Sequence, residues 1–124
     1  MARSRILVVD DNADAAETLA MALDLSGCEV QVAHCAAAAL EMVDRFAPNV
    51  VLLDIGLPDM NGYDLARRLR LLPGGAAMTL IAATGWGQEQ DRQRAFDAGF
   101  DHHLTKPLDF DKLCATLPQI ASAA

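Results

Sequence analysis

Short hydrophobic runs alternate with longer amphipathic stretches along the whole chain. Three runs, at 6–9, 50–53 and 79–83, are continuous and rich in aliphatic residues. Such runs are typical of strands that are buried on both faces of a parallel sheet. Weaker runs at 30–33 and 103–105 predict two further strands. The pattern therefore predicts five strands with an amphipathic stretch after each of them.

Apolar residues recur at helical spacing in the stretches that follow the strands. The predicted helices lie between Asn12 and Gly27, over 36–46, between Gly62 and Pro73, over 88–98, and from about Phe110 to Leu117. Because strands and helices alternate, we expect an α/β fold in which one parallel sheet carries helices on both faces. No linker or repeat divides the chain, so we expect a single domain over 1–124 with its core at about 5–118.

Composition and charge narrow the classes of function. Hydrophobic residues make up 52% of the 124 residues, which is enough for one packed core. The net charge of −7 disfavours direct binding to nucleic acids, because no excess of Lys and Arg can neutralise phosphates. No stretch approaches the roughly 20 apolar residues of a membrane span, so we expect no membrane insertion and a cytoplasmic location. The three cysteines lack a paired spacing and are predicted to be small buried side chains.

Five polar residues follow the ends of the predicted strands. Asp10 and Asp11 follow the first strand, Asp54 the third, Thr84 the fourth and Lys106 the fifth. The carboxyl ends of parallel strands meet at one edge of the sheet, where ligands bind. We therefore expect three carboxylates, a hydroxyl and an ammonium group to lie together at that edge.

This grouping has a chemical logic. Three neighbouring carboxylates repel one another, so a cation is needed for all three to ionise. Oxygen ligands in a partly hydrated site suit Mg²⁺. One carboxylate is then able to act as a nucleophile toward phosphorus, while the metal and Lys106 offset the phosphoryl charge and Thr84 hydrogen-bonds one of its oxygens.

The same residues are also compatible with simpler roles. Residues 10–12 also suit a helix N-terminus, and they mimic the start of an EF-hand loop. The EF-hand is disfavoured because Ala15 and Met21 stand where that loop needs Gly and Glu. The three histidines and three cysteines show no zinc-ligand spacing. The charged stretch at residues 88–94 is most simply a solvated face.

Several short motifs together resemble the response-regulator receiver family of two-component signalling. They are Val8-Val9-Asp10-Asp11, Leu53-Asp54-Ile55-Gly56-Leu57-Pro58, Asn61-Gly62, Ala83-Thr84-Gly85 and Lys106-Pro107. They occur in the family's order and spacing, and the resemblance extends from about Ile6 to Leu117. It implies a doubly wound, flavodoxin-like sheet with strand order 2-1-3-4-5.

The resemblance also implies roles for individual residues. Asp54 matches the phosphoacceptor. Asp11 matches the direct Mg²⁺ ligand, Asp10 its water-mediated partner, and the backbone carbonyl of Gly56 a further metal ligand. Thr84 and Lys106 match the pair that senses the phosphoryl group.

Three positions depart from the common pattern of the family. His103 stands where receivers often have Tyr or Phe as a rotameric switch, and it is smaller and titratable. Trp86 and Gly56 occupy the two positions that adjust the access of water to the acyl phosphate in this family. Trp86 is unusually bulky there, and Gly56 has no side chain.

The resemblance implies a phosphoacceptor module that takes a phosphoryl group from a histidine kinase or phosphotransfer protein and then changes its partner-binding face. Such a module catalyses its own phosphorylation and slow dephosphorylation without turning over external substrates, and it can form a phosphorylation-linked dimer. In receivers the face that corresponds to residues 88–94 carries partner contacts, so the resemblance makes a partner-binding surface the alternative to a solvated face there. Residues 84–104 look most like receivers attached to hybrid sensor kinases. The alternatives are a pseudo-receiver, which usually lacks an acidic residue or the lysine, and an aspartate-nucleophile phosphatase, which has a D-x-D motif near the first strand.

Overall fold

The computed structural model describes residues 4–85, 89–106 and 108–117. The strands are β1 (Arg5–Val9), β2 (Glu29–Ala33), β3 (Val50–Asp54), β4 (Thr79–Thr84) and β5 (His102–Thr105). The helices are α1 (Ala13–Leu25), α2 (Ala36–Phe46), α3 (Gly62–Leu71), α4 (Glu89–Ala98) and α5 (Phe110–Thr116). A single 3₁₀ turn, Gly75–Ala77, precedes β4 and was not predicted.

The five strands form one sheet in the order β2-β1-β3-β4-β5. Every neighbouring pair is parallel, so all five carboxyl ends lie at the same edge. Each strand is followed by a helix, which is the arrangement that right-handed crossovers between parallel strands require. The predicted α/β class and the strand order 2-1-3-4-5 are both confirmed.

Alternate residues of the central strands pack into two separate hydrophobic clusters, one on each face of the sheet. One cluster contains Leu7, Val51, Leu53 and Leu80 and is covered by α2, α3 and α4. The other contains Ile6, Val8, Val50, Leu52 and Ile81, and it includes side chains of α1 and α5. Strands buried on both faces need continuous apolar runs, which explains the pattern in the sequence.

Two asparagines begin the helices that follow the acidic strand ends. The side chain of Asn12 accepts a hydrogen bond from the Ala15 N–H at 3.1 Å and starts α1. The side chain of Asn61 accepts one from the Tyr63 N–H at 2.8 Å and starts α3. Both side chains satisfy N–H groups that the first turn of a helix leaves without partners.

Some expectations for details were wrong or fall outside the described residues. Only Cys28 is buried, whereas Cys35 and Cys114 are partly exposed, because they lie at the start of α2 and within α5. The first residue of the predicted fourth helix, at 88, lies outside the described residues. Within the described ranges, no helix has the length and apolar character needed to cross a bilayer.

Candidate functional site

The carboxyl edge of the sheet collects the polar residues that follow the strands. Asp54 is the last residue of β3 and pairs with Ala83 of β4. Thr84 is the last residue of β4 and pairs with Thr105, the residue before Lys106. Backbone pairing therefore sets the relative positions of Asp54, Thr84 and the start of the Lys106 segment.

Three carboxylates form the centre of this edge. One oxygen from each of Asp10, Asp11 and Asp54 lies within 4.8 Å of the other two. The side chains of Asp10 and Asp54 are only 14% and 13% exposed, whereas Asp11 is exposed. The donor set consists entirely of carboxylate oxygens and is open to solvent on the Asp11 side, which suits a hard divalent cation that keeps some of its water.

The ammonium group of Lys106 lies against two of these carboxylates. Its Nζ donates to Asp54 Oδ2 at 3.1 Å and to Asp10 Oδ2 at 3.4 Å. Partial burial acts to lower the pKa of Lys106, but the hydrogen bond and charge of Asp54, together with Asp10, outweigh it and raise that pKa. Lys106 is therefore a fixed positive charge at neutral pH. Its own backbone N–H donates to the Thr84 carbonyl at 2.8 Å, which anchors the segment to β4.

Burial and the neighbouring charges act in opposite directions on Asp10. Burial raises the pKa of Asp10, and the nearby Asp54 carboxylate adds to the increase. The backbone N–H of Asn12, which donates to Asp10 Oδ1 at 2.9 Å, and the charge of Lys106 both lower it, and the net shift is upward. A cation at the site would therefore favour the ionised form of Asp10.

Both carboxylate oxygens of Asp54 have partners. Oδ1 accepts from the backbone N–H of Gly56 at 3.1 Å, and Oδ2 accepts from Lys106. Gly56 is exposed and is the second residue of the loop that leads from β3 to α3. It faces Asn61 across an isolated antiparallel bridge, so the loop folds back on itself directly beside Asp54.

Of the residues predicted to act as switches or to control water access, Thr84, His103 and Gly56 are described by the structure. Thr84 is buried, with 2% exposure. His103 pairs with Ala82 in the sheet, and its Nε2 atom is buried without a hydrogen-bond partner in the part of the chain that the structure describes. Burial, the larger effect, and the nearby Arg92 both lower the pKa of His103. Trp86, the other predicted water-access residue besides Gly56, lies outside the described residues.

An apolar groove of about 570 Å³ opens beside the carboxylates. It runs between α1 and the segment that leads into α5. Asp10 and Lys106 lie at its edge, and Ala15, Leu19 and Phe110 are among the residues that line it. A partner seated in this groove would therefore contact the site directly.

Two site-adjacent residues were missed by the sequence reasoning. The His34 ring Nδ1 lies 3.1 Å from the Asp10 carbonyl oxygen. Asp59 accepts hydrogen bonds from the backbone N–H groups of Ala36 and Ala37. Each contact joins segments that are 22 to 24 residues apart in sequence, and no local motif predicts either of them.

Comparison with known proteins identifies the family. Residues 6–118 match the model of the response regulator receiver domain. The chain belongs to this family, which confirms the resemblance seen in its motifs. Receiver domains are signalling modules of two-component systems.

Two relatives and one solved structure illustrate the match. An uncharacterized 14.6 kDa protein of Leptolyngbya boryana is 40% identical over 109 residues, which cover 88% of this chain and 83% of that protein. The transcriptional regulatory protein KdpE of Mycobacterium tuberculosis is 36% identical over 112 residues, which cover 90% of this chain and 48% of the regulator. The chain thus spans about half the length of KdpE.

The solved structure is a response regulator of Burkholderia pseudomallei, crystallised with a phosphorylated aspartic acid, a calcium ion and citrate. It superposes with a TM-score of 0.83 at 26% identity, covering 97% of this chain and 70% of that one. The fold is therefore similar to that of a response regulator whose crystal structure contains a phosphorylated aspartic acid.

Proposed function

We propose that this receiver domain accepts a phosphoryl group on Asp54 from the phosphohistidine of a histidine kinase or a phosphotransfer protein. One observation supports this function above the others. The Asp54 carboxylate ends a buried strand within 4.8 Å of the Asp10 and Asp11 oxygens, and it is in contact with the Lys106 ammonium group. A phosphorylated aspartic acid and a divalent cation are described for the Burkholderia relative, which is consistent with this role.

The proposed metal is Mg²⁺, held by Asp10, Asp11, Asp54 and the backbone carbonyl of Gly56. When bound, it would supply the positive charge that lets the carboxylates ionise together and that offsets the phosphoryl oxygens. We assign Asp11 the direct contact and Asp10 a contact through water. The exposure of Asp11 and the partial burial of Asp10 fit this division.

The protein residues then act on the transfer itself. A carboxylate oxygen of Asp54 attacks phosphorus, the P–N bond to the donor imidazole breaks, and the bonding electrons return to that imidazole nitrogen. The product is an acyl phosphate on Asp54. Lys106 lies where it can neutralise charge on the transferred group, and Thr84 at the end of the adjacent strand hydrogen-bonds a phosphoryl oxygen. The domain is thus an acceptor that promotes its own phosphorylation, not an enzyme that turns over external substrates.

In this proposal, phosphorylation changes the structure of the domain along strands β4 and β5. Thr84 shifts toward the phosphoryl group, and His103 on the next strand responds, which changes the partner-binding face next to α4. A dimer formed on phosphorylation and attachment to a hybrid sensor kinase both remain predictions. The groove between α1 and α5 would bring a kinase or phosphotransfer protein against Asp10 and Lys106 at the edge of the site.

Intact-mass spectrometry tests the phosphoacceptor. After treatment with acetyl phosphate and Mg²⁺, the wild type should gain the mass of one phosphoryl group, and chelation of the metal should prevent the gain. Asp54→Asn should gain none, because an amide oxygen is a much weaker nucleophile. An unchanged gain in Asp54→Asn would move the phosphoacceptor elsewhere. A wild type that gains no mass would favour the pseudo-receiver, a phosphorylation-independent binding module.

A metal titration tests the ligand assignment. Asp11→Ala should weaken Mg²⁺ binding strongly, because it removes a carboxylate from the cluster. Asp14→Ala is the matched control, since Asp14 is an exposed carboxylate in the first turn of α1 and lies outside the cluster. Changes in Mg²⁺ affinity are measured by calorimetry at constant ionic strength. Equal losses in the two variants would show that the assigned metal site is wrong.

A further inference from the structure

Helix α2 lacks an N-cap from its own sequence. The residue at the cap position is Cys35, and its side chain makes no capping hydrogen bond. The first N–H groups of any helix have no partner within the helix, and Ser, Thr, Asp or Asn usually satisfies them. The start of α2 therefore depends on a group from elsewhere in the chain.

Asp59 is that group. Its Oδ1 accepts from the Ala36 N–H at 2.8 Å and its Oδ2 from the Ala37 N–H at 3.0 Å. These two N–H groups lower the pKa of Asp59, so the carboxylate is ionised at neutral pH. The residue itself is exposed, so core packing does not explain how it is held. Its bidentate contact ties the loop after β3 to the start of α2.

The same loop is tied to β3 at its base. The Gly62 N–H donates to the Ile55 carbonyl at 2.9 Å, and Gly56 faces Asn61 across the antiparallel bridge. The loop of residues 55–61 is thus held at two places: at its base by these contacts, and at its outer part by the contact between Asp59 and α2. Gly56 lies on the arm of the loop that runs from Asp54 toward Asp59.

We propose that Asp59 is a positioning residue that holds the β3–α3 loop against α2 and so keeps the Gly56 carbonyl in place for the metal site. This inference rests on the proposed function, in which that carbonyl is a ligand. A loop that is ordered before binding costs less conformational entropy when the cation arrives. Removing the outer contact should therefore weaken metal binding without touching any ligand side chain.

A pair of substitutions separates this role from a merely structural cap. Asp59→Ala removes both the cap of α2 and the tether of the loop. Adding Cys35→Ser gives α2 a serine at its own cap position, which restores the cap but leaves the loop untethered. Asp64→Ala is the control for loss of surface charge, since Asp64 is an exposed carboxylate in the first turn of α3 whose contact is with Arg67.

Two measurements are made on each variant. Calorimetric titration of the metal-free protein with MgCl₂ gives the Mg²⁺ dissociation constant. We expect it to rise about tenfold in Asp59→Ala, the lower end of the losses seen for outer contacts of metal sites, and to stay raised in the double variant. Hydrogen exchange of the Gly62 amide, measured without metal, should be faster in both. The urea midpoint should fall in Asp59→Ala and recover in the double variant, while Asp64→Ala should match the wild type in metal affinity and amide exchange.

The outcomes are distinct. A double variant that regains wild-type Mg²⁺ affinity would show that Asp59 only caps α2, and would overturn the positioning role. Wild-type affinity in Asp59→Ala itself would overturn it as well, while leaving the proposed function intact. A wild type that binds no Mg²⁺ and accepts no phosphoryl group would overturn both. Raised dissociation constants and faster Gly62 exchange in both Asp59 variants would support it.

Discussion

Lys106 occupies the position where it competes most directly with a bound cation. Its Nζ lies 3.1 Å from Asp54 Oδ2 and 3.4 Å from Asp10 Oδ2, so it neutralises two of the three carboxylates assigned to Mg²⁺. Two cations that share the same carboxylates weaken each other's binding. We therefore expect Lys106→Met to bind Mg²⁺ more tightly than the wild type. Methionine retains much of the apolar stem, so packing changes little.

The size of the effect follows from the two ion pairs. Solvent-exposed pairs contribute about 0.2–1 kcal/mol each, and the Lys106 side chain is 33% exposed while its partners are mostly buried. Two such pairs, screened by solvent, amount to about 0.5–2 kcal/mol. Since 1.4 kcal/mol corresponds to about a tenfold change, the Mg²⁺ dissociation constant should fall by roughly two- to thirtyfold.

Calorimetry with MgCl₂ at neutral pH and constant ionic strength measures this change. The gain should shrink at high salt, because screening weakens the pairs that Lys106 makes. Lys112→Met is the matched control, since Lys112 is exposed on α5 and lies outside the carboxylate cluster. Phosphorylation by acetyl phosphate should slow in Lys106→Met even though the metal binds better, because a positive charge near the transferred group is lost.

Lys106→Met should thus strengthen Mg²⁺ binding but slow phosphorylation, and each of these effects can be refuted separately. Weaker Mg²⁺ binding in Lys106→Met, with Lys112→Met unchanged, would mean that Lys106 organises the carboxylates instead of competing for them. Tighter binding together with unimpaired phosphorylation would remove Lys106 from the transfer step.

Two further predictions concern stability. A Cβ at Gly62 would lie 2.6 Å from the Ile55 Cα, whereas one at Gly85 would meet no atom within 4 Å. Gly62→Ala should therefore lose about 1–3 kcal/mol of stability by overpacking, and Gly85→Ala should not. Equal urea midpoints in the two variants would contradict this. Burial, reinforced by Arg92, lowers the pKa of His103 in the folded state. The unfolded chain therefore binds a proton at His103 more readily than the folded protein does. Because of this difference, the free energy of unfolding falls as the pH drops through the unfolded-state pKa of about 6.5. The urea midpoint of His103→Phe should accordingly rise relative to wild type on acidification, and a difference that does not vary with pH would refute the assignment.

Much of the fold could be predicted because local pattern and tertiary environment agree. The runs at 6–9 and 50–53 are continuous because both faces of β1 and β3 are covered by helices. The predicted helix at 36–46 has the observed bounds of α2, since Pro48 lies shortly beyond its end. The carboxylate cluster was predicted for the same reason: parallel strands bring their carboxyl ends together whatever their separation in sequence.

The contacts that tie loops to distant segments could not be predicted. Asp59 and His34 reach their partners across 22 to 24 residues of sequence, and neither residue type is unusual in a loop. Nor does the sequence show that Cys35 leaves α2 without a cap of its own, because a cysteine is equally compatible with burial. Such contacts depend on the distance between segments that are remote in sequence, and only the assembled sheet defines that distance.

The site residues differ in how firmly the fold holds them, and this difference suits a site that responds to charge. Asp54 and Thr84 are strand residues, so the sheet fixes their backbones. Asp10 lies beyond its strand and is oriented by the Asn12 N–H and the Lys106 ammonium group, and the Lys106 ammonium is itself held by carboxylates. In the proposed function, a phosphoryl group or a cation would alter those charged contacts directly while the strand ends stay in register. We therefore expect structural responses to begin in the segments after β1 and β5 and in Thr84's side chain, with the Asp54 backbone as the fixed reference.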